Sequence, residues 1–544
     1  MHRCLQIPEI VLNVVSQVSP EQDKTLLSFA LVCRAFQNAA LDELWKGPDD
    51  RLFEHLLGCF LSDLFEIIVA PEKVTARLHR PVTRRDWERP SLYCARVRHV
   101  TLGFQESAMY ANLLGLISIS FYGEFLFPRL ESLRWDMGNP TAKKRDTDLV
   151  GFLRLLVPPT LKTIHLEKPY GALRLMLSIL PTISTRVRSL TDVHLGSGSS
   201  SGCSTNERAA ISDFVVCFDG LRSLSVPAID SRAWLHLAQL PELKSLTLET
   251  CLDAVPALPR DAEKPFAQLT RLSIGVVNVP VALRILLLVG NTPLENLYLA
   301  PAFMTTAGQL TTFYAALADT TNLKNTLKSL NQELPRRPPD TTDDDGWGVP
   351  RAALVSIAAF SKLTTISMQS FRQFDIDEAT LLSLARGWPA LKRIRLAQNT
   401  RESTLPLNAL VGLAALCPHL MEISLTFDTT TIPSLRATGA RGERRASLDL
   451  LNELTVGHSN VEATQIFEMA RFISGLCPAL EYLFSENTQP DGIYTRWTQV
   501  EELVLKLHQV REEETEWAHA DDDDDMGDDE EAENGAENLG QDNP

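Results

Sequence analysis

Three histidines, His99, His165 and His194, fall at the third or fifth position of short segments written L-x-x-L-x-L. Leucines at positions one, four and six turn inward, so the histidines belong to the opposite, solvent-facing side of a strand. An imidazole set of this kind suits a metal when its donor atoms converge to within about 4 Å, and neighbouring strands lie about 4.8 Å apart. His165 and His194 belong to successive segments and can approach, but this reading finds no third ligand. No metal site and no cofactor are therefore expected, and contact with a bound substrate is the better role for these histidines. Cys33, Cys417 and Cys477 lie in apolar surroundings, which suits small buried side chains better than nucleophiles. The run GSGSSSGCS from Gly196 lacks the lysine and following helix of a phosphate loop. The five aspartates Asp521 to Asp525 lack the alternating spacing and central glycine of a calcium loop. No catalytic constellation emerges.

The elements that carry these residues repeat. Segments beginning at Val97, Leu130, Leu161, Leu190, Leu221, Leu243, Leu269 and Leu294 share the pattern, from VRHVTL and LESLRW to LENLYL. A less regular LKSLNQ begins at Leu327, and the series resumes at Leu363, Leu391, Leu420, Leu451 and Leu480. Its last member is VEELVL at Val500. Starts recur every 20 to 36 residues, the spacing of leucine-rich repeats, in which each unit hides its neighbour's apolar face. Helical pieces lie between them, at Ala111 to Ile117, Leu149 to Leu156, Leu173 to Leu180, Leu381 to Arg386 and Ile466 to Ile473. Proline often precedes a strand, as at Pro128, Pro241, Pro389, Pro418 and Pro478, ending the helix and setting the turn. The expected fold class is α/β: a solenoid, or horseshoe, with a parallel concave sheet and outer helices.

Residues 1–47 follow another pattern. Ile7, Ile10, Val11, Val14, Val15 and Val18 recur at helical spacing, and Asp23 can cap a second helix carrying Leu26, Leu27, Ala30 and Leu31. A third helix is predicted from about Arg34 to Trp45, before Gly47-Pro48. Residues 48–96 are expected to be a helical linker and residues 97–510 the solenoid. Within it, the Pro- and Asp-rich stretch 334–349 reads as a mobile insertion.

Charge is unevenly placed. Residues 512–544 hold sixteen Asp and Glu and no Lys or Arg, leaving the preceding body at about −1 of the formal −17. Residues 511–544 are expected to form a disordered acidic tail. A near-neutral body without a basic stripe, followed by this tail, argues against nucleic acid as a partner. The nine cysteines are odd in number, scattered and without C-x-x-C spacing, as in reduced proteins. Met1 to Pro8 lack the long apolar core of a signal peptide, and the run around Ile285 to Val289 is too short to span a bilayer. An intracellular protein of cytoplasm or nucleus, without membrane association, is expected.

The N-terminal residues resemble an F-box. The matching positions are Leu5, Ile7-Pro8-Glu9-Ile10, Leu12, Leu31-Val32-Cys33-Arg34-Ala35-Phe36, Ala39-Ala40-Leu41 and Leu44-Trp45. Ile7 stands where the family commonly has Leu, and Phe36 where it often has Trp; both keep apolar bulk. Asp86-Trp87-Glu88-Arg89 and Tyr93-Cys94-Ala95-Arg96-Val97-Arg98 look like the segment entering the first repeat in the large F-box family of mushroom-forming fungi. That resemblance implies a non-catalytic substrate receptor of a Skp–cullin–F-box ubiquitin ligase. The adaptor-binding residues would be Leu5, Ile7, Pro8, Ile10, Leu31, Val32, Phe36 and Leu44. Sequence leaves open which of them face the adaptor and which fill the module's own core. A protein substrate would lie on the concave face, whose polar and aromatic positions include Arg134, His165, His194, Glu249, Arg271, Tyr298, Arg393, Arg395, Tyr482 and Phe484.

Two other readings have different consequences. Repeats followed by an acidic tail also look like the GTPase-activating proteins of the nuclear transport GTPase Ran. Only Leu391 to Asn399 keeps the asparagine those repeats carry after the strand, and the helical start is unexplained. A repeat scaffold that binds its partner outside any ligase is the other.

Overall fold

The computed structural model describes residues 7–18, 23–48, 52–70, 73–103, 111–136, 151–167, 173–196, 203–251, 264–301, 306–333, 349–370, 373–398, 403–434, 447–486 and 492–525. Leu5, Leu149, most of the glycine-serine run, most of the 334–349 insertion and residues 526–544 lie outside them. The chain divides into two units, Met1–Ala300 and Pro301–Pro544.

The first unit opens with three helices, α1 (Pro8–Ser16), α2 (Asp23–Val32) and α3 (Arg34–Leu44). Proline in the first turn of α1 costs no hydrogen bond, because that N–H has no intrahelical acceptor. Extended backbone at Cys33 separates α2 from α3. Val11, Val15, Leu26, Ala30, Phe36, Ala39 and Ala40 form a closed core, edged by Val18, Phe29, Cys33, Leu41 and Leu44. The Phe36 ring stacks on Phe29 at 5.4 Å. The module is joined directly to the first repeat strand: the Lys46 carbonyl accepts the N–H groups of Arg98 and His99, each at 2.8 Å. Arg96 adds bonds to the Asn38 carbonyl and to the Asp42 carboxylate, and Trp45 lies 4.9 Å from the Tyr93 ring.

The segment expected as a helical linker is mixed. An antiparallel hairpin, β1 (Phe65–Ala70) and β2 (Lys73–Leu78), sits between helical turns at Leu52–Gly58 and Glu88–Cys94. Its β-branched run Ile67-Ile68-Val69 favours strand. Asp86 is buried and takes both terminal nitrogens of Arg80, at 2.6 and 2.9 Å, as well as the Thr83 backbone N–H and hydroxyl. The Arg80 guanidinium holds the Asp86 carboxyl far below the usual range. Trp87 is buried between Phe60 and Phe121, each edge-on to it at 4.8 Å.

Parallel strands follow in strict chain order: β3 (His99–Leu102), β4 (Ser132–Asp136), β5 (Thr163–Glu167), β6 (Asp192–Leu195), β7 (Ser223–Val226), β8 (Ser245–Leu248), β9 (Arg271–Val277) and β10 (Asn296–Pro301). The pattern's first, fourth and sixth residues are buried in each, as Leu161, Ile164 and Leu166 are around β5. One backbone link repeats at every step. The second residue's carbonyl accepts two successive N–H groups of the next unit, so Glu131 accepts from Lys162 and Thr163, and Lys162 from Thr191 and Asp192. Between β8 and β9 the backbones approach so closely that a Cβ on Gly275 would lie 2.7 Å from the Glu249 carbonyl oxygen. Outer helices include Leu173–Arg186, Thr205–Val215 and Val279–Val289.

The second unit continues the alternation with β11 (Ser329–Glu333), β12 (Thr365–Ser370), β13 (Arg393–Gln398), β14 (Glu422–Ser424), β15 (Glu453–Thr455) and β16 (Tyr482–Phe484). These too pair in parallel and in order. Helices Glu378–Gly387, Asn408–Leu416 and Ile466–Leu476 each stop just before a proline turn, where proline disfavours helical backbone in the residue before it. The LKSLNQ segment is a strand despite its irregularity, with Gln332 buried where other units place an apolar residue.

VEELVL is not a strand. It lies within a helix, Ile493–Asp525. Trp497, Val500 and Val504 are buried while Leu505 is exposed, a helical rather than an alternating pattern. The Trp497 indole donates to the Ser459 carbonyl at 2.9 Å, and the Arg511 guanidinium to the Ser474 carbonyl at 2.6 Å. The same helix carries the acidic segment through Asp525, where disorder was expected from residue 511. Glutamate and alanine are good helix formers, and they dominate the stretch from Glu512 to Ala520. Among the described residues no helix is long and apolar enough to cross a membrane.

Candidate functional site

Parallel pairing lines up the outward positions of successive strands. Arg134 on β4 stands opposite His165 on β5, and His165 opposite His194 on β6. The row continues through Ser225, Thr247 and Ser273. His99 is one row away, in register with Ser132 and Thr163, and does not join the other two histidines.

Register brings His165 and His194 into face-to-face contact, with ring centroids 3.9 Å apart and planes tilted by 17°. Glu167, two residues beyond His165 and on the same side of β5, places a carboxylate oxygen 2.5 Å from the His165 Nε2. The Arg134 guanidinium reaches the same oxygen at 3.2 Å. Donor atoms of His165, Glu167 and His194 all lie within 4.8 Å of one another. The hydrogen bond from His165, with the charge of Arg134, holds the Glu167 carboxyl below its ordinary value. Burial, with the neighbouring His165 charge, lowers His194 and favours its neutral ring. The result is a half-buried polar cluster of one carboxylate, two imidazoles and one guanidinium. Sequence reasoning missed Glu167 as a partner, although its i+2 spacing from His165 was visible.

The other outward residues do not gather there. Arg271 is exposed at the start of β9, in register with Ser245, while Glu249 follows β8 and Tyr298 lies half-buried on β10. In the second unit Arg393 pairs with Glu422 at 3.3 Å and Arg395 with Glu486 at 3.3 Å. Tyr482 and Phe484 stack at 5.9 Å with nearly parallel rings, and both are about half exposed.

A second candidate surface lies on the helical module. Leu31 is 78% and Val32 71% exposed, and Ile7, Ile10, Leu12, Val14 and Leu27 also face solvent. Phe36 is only 7% exposed and Leu44 is packed at the core's edge. Of the residues named from the sequence, Ile7, Ile10, Leu31 and Val32 are exposed, whereas Phe36 lies in the module's core and Leu44 at its edge. Pro8 begins α1.

Of the three cysteines that sequence assigned to structure, Cys33 is half-buried at the edge of the helical module's core. Cys417 and Cys477 are buried, with burial pushing their thiols up to about 11 and about 12. The Cys417 Sγ contacts the carbonyls of Ala385 and Trp388. A thiol so raised is almost entirely protonated at neutral pH and is a poor nucleophile.

No protein-family model matches this chain, and no curated protein matches its sequence. Among solved structures it is similar to the crystal structure of the Rad7 and Elc1 complex in yeast, with 15% identity and a TM-score of 0.32. That similarity covers 90% of this chain and 92% of that one.

Proposed function

We propose that the chain is a non-catalytic substrate-recognition adaptor of a Skp–cullin–F-box ubiquitin ligase, working inside the cell. The helical module binds the Skp-type adaptor, and the outward face of the parallel strands binds a protein substrate. The observation that carries the reading is the exposure of Leu31 and Val32 beside a core that is already closed. Apolar side chains left in water by a finished core are a docking surface in search of a cover. The residues Ile7 to Ile10 and Leu31 to Phe36 that resemble an F-box supply both the exposed and the buried parts. The polar strand face suits a protein ligand, and on this reading bond chemistry belongs to other subunits. Catalysis then consists of proximity, with a bound substrate held at high effective concentration near a charged enzyme.

The test is reconstitution with a purified Skp-type adaptor, followed by size-exclusion chromatography and calorimetry. A stable one-to-one complex that also recruits a cullin is expected. Absence of a complex ends the reading, and a complex that never recruits cullin favours a scaffold outside the ligase.

A further inference from the structure

We propose that His165, Glu167 and His194 form a binding site for a zinc-class divalent transition metal on the outward face of β5 and β6. Two imidazoles and one carboxylate are the donor set that zinc accepts when three protein ligands leave a fourth position open. The three donors come from adjacent, in-register strands, so their Cα positions are set by the sheet. Zinc–ligand bonds of about 2.0–2.2 Å place tetrahedral donors roughly 3.3 Å apart. The donor atoms already lie within 4.8 Å of one another, so an approach of about an ångström or two brings them to that spacing. Lone pairs of imidazole lie in the ring plane, so metal entry must open the 3.9 Å stack of the two rings. Water or a donor from a bound partner would complete the shell at the fourth position.

Arg134 supplies the decisive check. Its guanidinium now neutralises Glu167 from 3.2 Å, so it competes with any cation for that carboxylate. Arg134 is well exposed and can swing away, but its charge opposes the metal. Removing it from a metal site tightens binding, whereas removing it from a purely structural cluster of ion pairs does nothing of the kind.

The experiment titrates the purified full-length protein with zinc by calorimetry and with cobalt(II) by visible absorption. One equivalent is expected to bind with tetrahedral cobalt bands. His165→Ala and His194→Ala each weaken it at least tenfold, Glu167→Gln by several-fold, and Arg134→Ala tightens it by about 2- to 10-fold, the effect of removing one nearby charge. Circular dichroism establishes that each variant is folded. No stoichiometric binding overturns the proposal. So does binding that persists in the double histidine variant, which places the metal elsewhere. The adaptor reading stands or falls separately, because the readout here is metal affinity rather than adaptor capture.

Discussion

Replacing Leu31 and Val32 with serine tests the docking surface where it is most exposed. Complete burial of a leucine or valine side chain contributes about 1.5–3 kcal/mol. With 78% and 71% of these two residues still in water, about three quarters of that remains to be gained by each on docking. A partner that covers both therefore loses about 2.3–4.5 kcal/mol when they become serine, a weakening of roughly 40- to 1,600-fold. The module itself keeps its core, because neither side chain belongs to it, and serine in a helix costs only about 0.5 kcal/mol per site. Calorimetry against a Skp-type adaptor measures the loss, and thermal unfolding by circular dichroism verifies that the helices persist. Affinity within threefold of the parent, in a folded double variant, refutes the assignment of this surface. Phe36→Ala makes the instructive contrast. It removes a core ring that stacks on Phe29 and costs about 3–5 kcal/mol of folding, so its binding loss comes with melted helices.

Other consequences follow from the interior. Asp86→Asn removes the charge that Arg80 and Thr83 satisfy and is expected to cost about 2–3 kcal/mol in chemical denaturation at neutral pH. Because the native carboxyl is held below its unfolded value, its contribution is full above about pH 4 and declines as pH falls toward the depressed native value; the variant lacks that part of the acid sensitivity. Trp497→Ala opens a cavity under the C-terminal helix and breaks the bond to Ser459, with an expected loss of about 3–5 kcal/mol read by urea denaturation. Thiol titration of the native protein should leave Cys94, Cys417 and Cys477 unreactive until denaturant is added, since burial raises all three; rapid labelling of these residues would contradict their placement.

The strand framework was readable because the outward and inward sides of a strand differ by one residue, and leucine marked the inner side in nearly every unit. Even LKSLNQ kept its strand, since Leu327 and Leu330 hold the inner positions and Gln332 merely fills the third. VEELVL misled because Val500, Leu503 and Leu505 satisfy the strand spacing while Trp497, Val500 and Val504 satisfy a helical one. Short apolar patterns can serve either period, and tertiary packing chose the helix. The hairpin at Phe65–Leu78 was hidden for a related reason: it occurs once, so no repetition marks it. Within the helical module, periodicity located the helices but could not say which apolar side chains remain wet. The site beside His165 was half legible. Its histidines stood out by type, whereas Glu167 read as one more polar surface residue until strand register placed it against them.

The two hydrogen bonds from the Lys46 carbonyl to Arg98 and His99 have a mechanical meaning. They tie the N-terminal helices to the first strand through main-chain hydrogen bonds, as each later strand is tied to the one before it. Each further strand in the first unit adds a step of about 4.8 Å. A substrate held one rung farther along, on the proposed function, lies farther from the helices by that increment. On the proposed function, the rung that holds the substrate would set its distance from the adaptor-binding helices, as marks on a ruler do.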